Sequence, residues 1–179
     1  MSATDTERPD AIGDCRDALA MLDKIEDVHP GTPATPANVE RAESLLGFEL
    51  PPSLRFFVTE IGSLTVCGRE VLGLYADEVA PDVAADIVGA TLLERSLGLP
   101  DHCIVVANPG NGTRVIVDMD DGGLVRVWTP RSGERGYETY PHFGRYLLEV
   151  VSDAEGDEKM ARFKERRRAQ LERLKNGGG

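Results

Sequence analysis

Apolar positions along this chain recur with two periods. From Asp10 they fall at Ile12, Cys15, Leu19, Leu22 and Ile25, the spacing of one buried stripe on a helix. His29-Pro30-Gly31-Thr32-Pro33 ends that helix and reads as a linker. Thr35 is placed to cap a second helix, with Pro36 at its first position, Val39, Ala42, Leu45 and Leu46 on one face, and Gly47 as the stop. Pro51-Pro52-Ser53 restarts a helix whose inward residues are Leu54, Phe57, Val58 and Ile61. Two short strands, 64–67 and 71–75, are expected around Gly68, followed by a loop over 77–81 and a helix over 83–97.

The period then changes to two. Three β-branched runs between Cys103 and Trp128 are separated by Asn108-Pro109-Gly110-Asn111-Gly112 and by Asp120-Asp121-Gly122-Gly123. Connections this short cannot hold a crossover helix, so the strands should form an antiparallel meander. A fourth strand is expected over 137–140, and a helix after Pro141 with Phe143, Tyr146, Leu147, Val150 and Val151 inward. Alternation puts Val115, Val117, Met119, Val125 and Val127 on one sheet face, which should take the helices. The other face carries Arg114, Asp118, Arg126 and Trp128. Arginine and tryptophan are enriched at interface hot spots, so this mixed face is either a candidate partner surface or one where Trp128 simply covers the sheet edge and the arginines pair with nearby acids. Asp120, Asp121, Glu70, Asp77 and Glu78 are added to it as acidic residues in the neighbouring turns and loops.

The expected architecture is α+β: a single domain over 10–152, a twisted antiparallel sheet with helices packed mainly on one face. Residues 1–9 read as a disordered N-terminus, and 153–179 as a charged helical extension with a glycine tail. The apolar stripe of that extension, Met160, Phe163, Leu171 and Leu174, is too thin for a core helix and suits a solvated or docking helix, which could also pair with a second copy to give a homodimer.

Composition narrows the functional classes. A chain of 179 residues can bury a core without disulfides or metal. It has no apolar run long enough to span a bilayer and no signal-like N-terminus, so a cytoplasmic protein without membrane contact is expected. The three cysteines, Cys15, Cys67 and Cys103, read as reduced thiols. A net charge of -11 argues against nucleic acid as a partner and fits either a merely soluble protein or one whose partner is basic. Residues 153–175 hold 8 basic and 6 acidic side chains, which leaves 12 basic against 25 acidic elsewhere. The body is thus more acidic than the whole.

No catalytic constellation stands out. Cys103 and His102 are adjacent, and neighbours on a strand point to opposite faces, which works against a dyad. His29, His102 and His142 are scattered, so no metal site is assigned. Asp118, Asp120 and Asp121 lack the spacing of a calcium loop. The Asn108–Gly112 glycines precede no helix that would cradle phosphate. No cofactor is implied.

The order of segments is more specific than any one of them. Leu45-Leu46-Gly47-Phe48-Glu49-Leu50-Pro51-Pro52-Ser53-Leu54-Arg55-Phe56-Phe57 precedes Glu60-Ile61-Gly62-Ser63 and Val71-Leu72-Gly73-Leu74. Ile87-Val88-Gly89-Ala90-Thr91-Leu92-Leu93-Glu94-Arg95, Gly98-Leu99-Pro100, the strand end Val125-Arg126-Val127-Trp128 and 143–151 follow. From about Val39 to Val151 this resembles the SUKH superfamily, the Smi/Knr-type domain. Many relatives carry Asn-Gly-Gly where this chain has Ile61-Gly62-Ser63, and the extension from Asp153 has no counterpart in the pattern. The resemblance implies a non-catalytic α+β domain. For bacterial members it implies an immunity protein, an antitoxin of polymorphic, LXG-like toxin systems, whose partner is a cognate toxin domain. For nuclease-type toxins that partner surface would be basic. The alternative it implies is a Smi/Knr-like adaptor or regulatory protein-binding module.

Overall fold

A computed structural model describes residues 10–75, 86–130 and 135–176 of the chain. The expectations for 1–9, the 77–81 loop and the start of the 83–97 helix lie outside the described residues.

Helix α1 (Ala11–Met21) buries Ala11, Cys15 and Ala18 and runs into a single 3-10 turn. The segment read as a linker is partly a strand, β1 (Val28–Pro30), which pairs with β2 (Leu64–Val66). Helix α2 (Pro36–Leu46) starts and stops as its sequence dictates. The Thr35 hydroxyl accepts the Asn38 N–H, and Gly47 closes the helix at φ 90°. Helix α3 is Pro52–Glu60.

Strand β2 turns into β3 (Arg69–Val71) through Cys67 and Gly68, at φ 46° and 73°. A two-residue hairpin loop needs positive φ at both centres, which glycine supplies freely and cysteine only at some strain. The second strand therefore begins directly after Gly68 and ends at Val71, earlier than the expected 71–75. Past it, the Leu72 N–H donates to the Val106 carbonyl and links this three-stranded sheet to the next.

Helix α4 (Ile87–Ser96) is capped by the Asp86 carboxylate, which accepts the Gly89 N–H. The meander follows as β4 (Cys103–Ala107), β5 (Arg114–Asp118), β6 (Leu124–Trp128) and β7 (Arg135–Tyr140), antiparallel in that order. The last described element is one helix, α5 (Phe143–Asn176), of 34 residues, about 51 Å long. The charged extension is thus the continuation of the last core helix. Ion pairs Glu155–Lys159 and Glu158–Arg162 support it where the apolar stripe thins.

Directly opposed residues of antiparallel strands share a face. Ile104, Val117, Val125 and Tyr140 make one, and α5 lies on it, with the Tyr146 and Tyr140 rings 5.5 Å apart. Helices α1 and α3 pack on α5, with Phe57 against Phe143 at 5.3 Å. Gly144 makes the α1–α5 approach possible, since a Cβ there would stand 1.9 Å from the Ala11 carbonyl oxygen. The chain is a single α+β domain, as its hydrophobic pattern predicts.

Candidate functional site

The mixed sheet face is not bare. Helix α4 crosses it and brings Glu94, 1% exposed, onto Arg114, with Oε1 accepting from Nε at 2.6 Å. Arg114 also donates to the Asn108 side chain and the Thr113 carbonyl. Trp128, opposite Arg114 in register, is 2% exposed and belongs to the core. Asp118 is 1% exposed. Of the residues placed on a partner surface by alternation, Trp128 and Asp118 are therefore covered within the chain itself. Alternation sorts side chains between faces but does not say which face a helix will cover.

Helix α4 also closes the outer edge of β4. Thr91 Oγ1 accepts the Val105 N–H at 2.9 Å, and the Arg95 guanidinium donates to the carbonyls of Cys103, Asp101 and Leu46. Burial makes the Arg95 charge harder to hold and lowers its pKa. Its cation stacks over the Phe48 ring at 5.5 Å.

The remaining predicted residues separate into two places. Asp120 and Asp121 stay exposed in the β5–β6 turn. Asp121 binds the Arg126 guanidinium, whose Nε also stands 3.7 Å from Asp118. His102 joins this group, with Nε2 3.5 Å from Asp118 Oδ1 and Nδ1 3.2 Å from Asp120 Oδ2. Glu70 is exposed on the other side, in a cleft of about 540 Å³. The β2–β3 hairpin, the β4–β5 loop, and Tyr146 and Val150 of α5 line that cleft. Burial holds the Tyr146 phenol well above the usual tyrosine range. Asp77 and Glu78 lie outside the described residues.

Adjacency does not separate His102 from Cys103, contrary to the expectation from strand alternation. His102 sits in the turn before β4, where strand alternation does not apply, and the antiparallel register sets Cys103 opposite Asp118. The His102, Cys103 and Asp118 donor atoms lie within 4.8 Å of one another. Cys103 is fully buried, so its sulfur cannot meet a substrate in this conformation.

Two apolar features are exposed, and only the second is legible in the sequence. Leu45, Leu93 and Leu97, on or just after α2 and α4, are 37%, 47% and 57% exposed. Leu93 and Leu97 are spaced i, i+4 as core residues would be, so only the fold shows them facing out. Met160 and Phe163 are 53% and 59% exposed on the outer half of α5.

Among the described residues, no helix is long and apolar enough to cross a membrane. The family model described as SUKH_5, SMI1-KNR4 cell-wall, matches residues 16–152. No curated protein matches the chain. A solved protein from Pseudomonas syringae pv. tomato shares the fold, with a TM-score of 0.57 at 17% identity over 80% of this chain and 97% of its own.

Proposed function

The chain belongs to the SMI1-KNR4 family, whose model spans most of its length, and from that premise we propose that it is a non-catalytic immunity protein. It binds a cognate toxin and blocks the toxin's active surface, and the toxin is of a nuclease type. The observation that carries this reading is the acidic balance: 25 acidic against 12 basic residues outside 153–175. A nuclease must present cations to the phosphate backbone. An acidic protein of fixed shape meets that surface with complementary potential and accelerates encounter. The burial of Cys103 supports a role without turnover, because it withdraws the chain's most plausible nucleophile from solvent.

The test has two parts. Co-expression with its cognate toxin should restore growth to cells that the toxin arrests. The association rate of the purified pair should fall steeply between low and physiological salt while dissociation changes little. Failure of rescue, or an association rate indifferent to salt, refutes the proposal.

An adaptor role is the second reading. Met160 and Phe163 on a basic, projecting helix favour it, because they offer an apolar anchor outside the acidic body. Several unrelated partners captured through residues 160–168, with no growth rescue, would favour this alternative.

A further inference from the structure

We propose that His102, Cys103 and Asp118 form a divalent metal site for Zn²⁺ or a similar borderline ion, which pins the start of β4 to the end of β5. The inference is independent of any toxin. Three donors of different chemistry converge there: an imidazole nitrogen, a thiol sulfur and a carboxylate oxygen, all within 4.8 Å of one another. Imidazole and thiolate together select zinc-like ions over magnesium or calcium. With bond lengths of about 2.0–2.3 Å, neighbouring donors of a tetrahedral zinc site stand roughly 3.3–3.8 Å apart. His102 Nε2 and Asp118 Oδ1 are already at 3.5 Å.

The surroundings supply the second shell. Asp120 Oδ2 is 3.2 Å from His102 Nδ1, an arrangement in which a carboxylate fixes the ring of a metal-bound histidine. When Nδ1–H donates to Asp120, the Nε2 lone pair faces a carboxylate oxygen. Two lone pairs in that position repel unless a second ring proton or a cation lies between them. A dication does more than a proton, because it also engages the buried sulfur. A thiolate and a carboxylate neutralise Zn²⁺, so the buried site carries no net charge. On binding, Cys103 loses its thiol proton to solvent and no oxidant or reductant is needed. Arg126 is released to Asp121, to which it is already bonded. Cys103 and Asp118 are buried, whereas the His102 side chain is 29% exposed and leaves a route of entry.

The experiment titrates the reduced full chain with Co²⁺, and separately with Zn²⁺ in competition with a chelator. One equivalent should bind, with a sulfur-to-cobalt charge-transfer band in the near ultraviolet, and Zn²⁺ should displace Co²⁺. Cys103→Ser should abolish the band, and Cys67→Ser should leave it unchanged. His102→Ala should weaken affinity by more than tenfold, and Asp120→Asn by about tenfold. His102 is partly exposed, so its variant keeps the test open even where Cys103→Ser folds poorly. Absence of stoichiometric binding, a band that survives Cys103→Ser, or affinity unchanged in His102→Ala overturns the proposal.

Discussion

Of the two readings of Arg114, partner contact or pairing with a nearby acid, the fold shows the acid, and what that pair does can be measured. Replacing it with alanine strips the countercharge from Glu94, which is 1% exposed and whose Oε2 has no hydrogen-bond partner among the described residues. Breaking a buried ion pair from one side costs about 3–5 kcal/mol, because the surviving charge stays desolvated. The Arg114 side chain is 21% exposed, so water can enter once it is removed, and the lower end of that range applies, about 3 kcal/mol. For a chain of this size each kcal/mol shifts the melting temperature by about 2–4 °C, so Arg114→Ala should melt about 6–12 °C lower. Removing both partners has a different outcome. Glu94→Leu with Arg114→Met replaces the pair by apolar groups of similar volume and should be neutral or stabilising. Urea denaturation measures both, with the slope showing whether the unfolded state has changed. A loss below about 1 kcal/mol in Arg114→Ala at unchanged slope would place the pair with ordinary surface ion pairs and refute the reasoning. The control matters for function as well: a binding defect in Arg114→Ala counts as partner contact only where stability is preserved.

Two further outcomes follow from close contacts and burial. Gly144→Ala should destabilise by about 1–3 kcal/mol or more, because the new Cβ meets backbone of α1 that cannot yield; Gly156→Ala, with nothing within 4 Å, should stabilise by about 0.5–1 kcal/mol, and paired thermal melts check both. Tyr146 holds its proton more tightly folded than unfolded, so its contribution is complete below pH 10.0, the ordinary tyrosine value, and is lost as pH rises from there towards its folded pKa; ultraviolet titration of the wild type against Tyr146→Phe should find this ring ionising late, together with unfolding.

Much of the fold was legible because local chemistry and packing agree. Thr35, Pro36 and Gly47 mark the ends of α2 by backbone physics alone, and the Asn- and Gly-rich loops mark the turns of the meander. Strand β1 was missed because His29-Pro30 carries breaker residues. Three residues suffice for a strand when β2 supplies the pairing, and a proline is tolerated on an edge. The continuity of α5 was missed because its composition changes from apolar to charged near residue 153. A helix does not need an apolar face to continue once nucleated, provided its formers and ion pairs sustain it. The site was less legible than the fold. Trp128 is covered by tertiary packing that no local pattern encodes. His102 escaped strand alternation by standing one residue before the strand, and Glu94 is an acid in a helix pattern that turned out to face inward.

The closed outer edge of β4 has a consequence for how recognition can change over generations. Its main-chain groups at 103, 105 and 106 are bonded to Arg95, Thr91 and Leu72. An incoming strand finds no ladder to extend there, so neither fibril growth nor peptide addition can begin at those positions. Whatever docks on this side must read protruding side chains such as Leu93 and Leu97. Side chains of that sort can be exchanged one at a time while the scaffold beneath them holds, so a lineage could follow a changing opponent without reinventing its architecture.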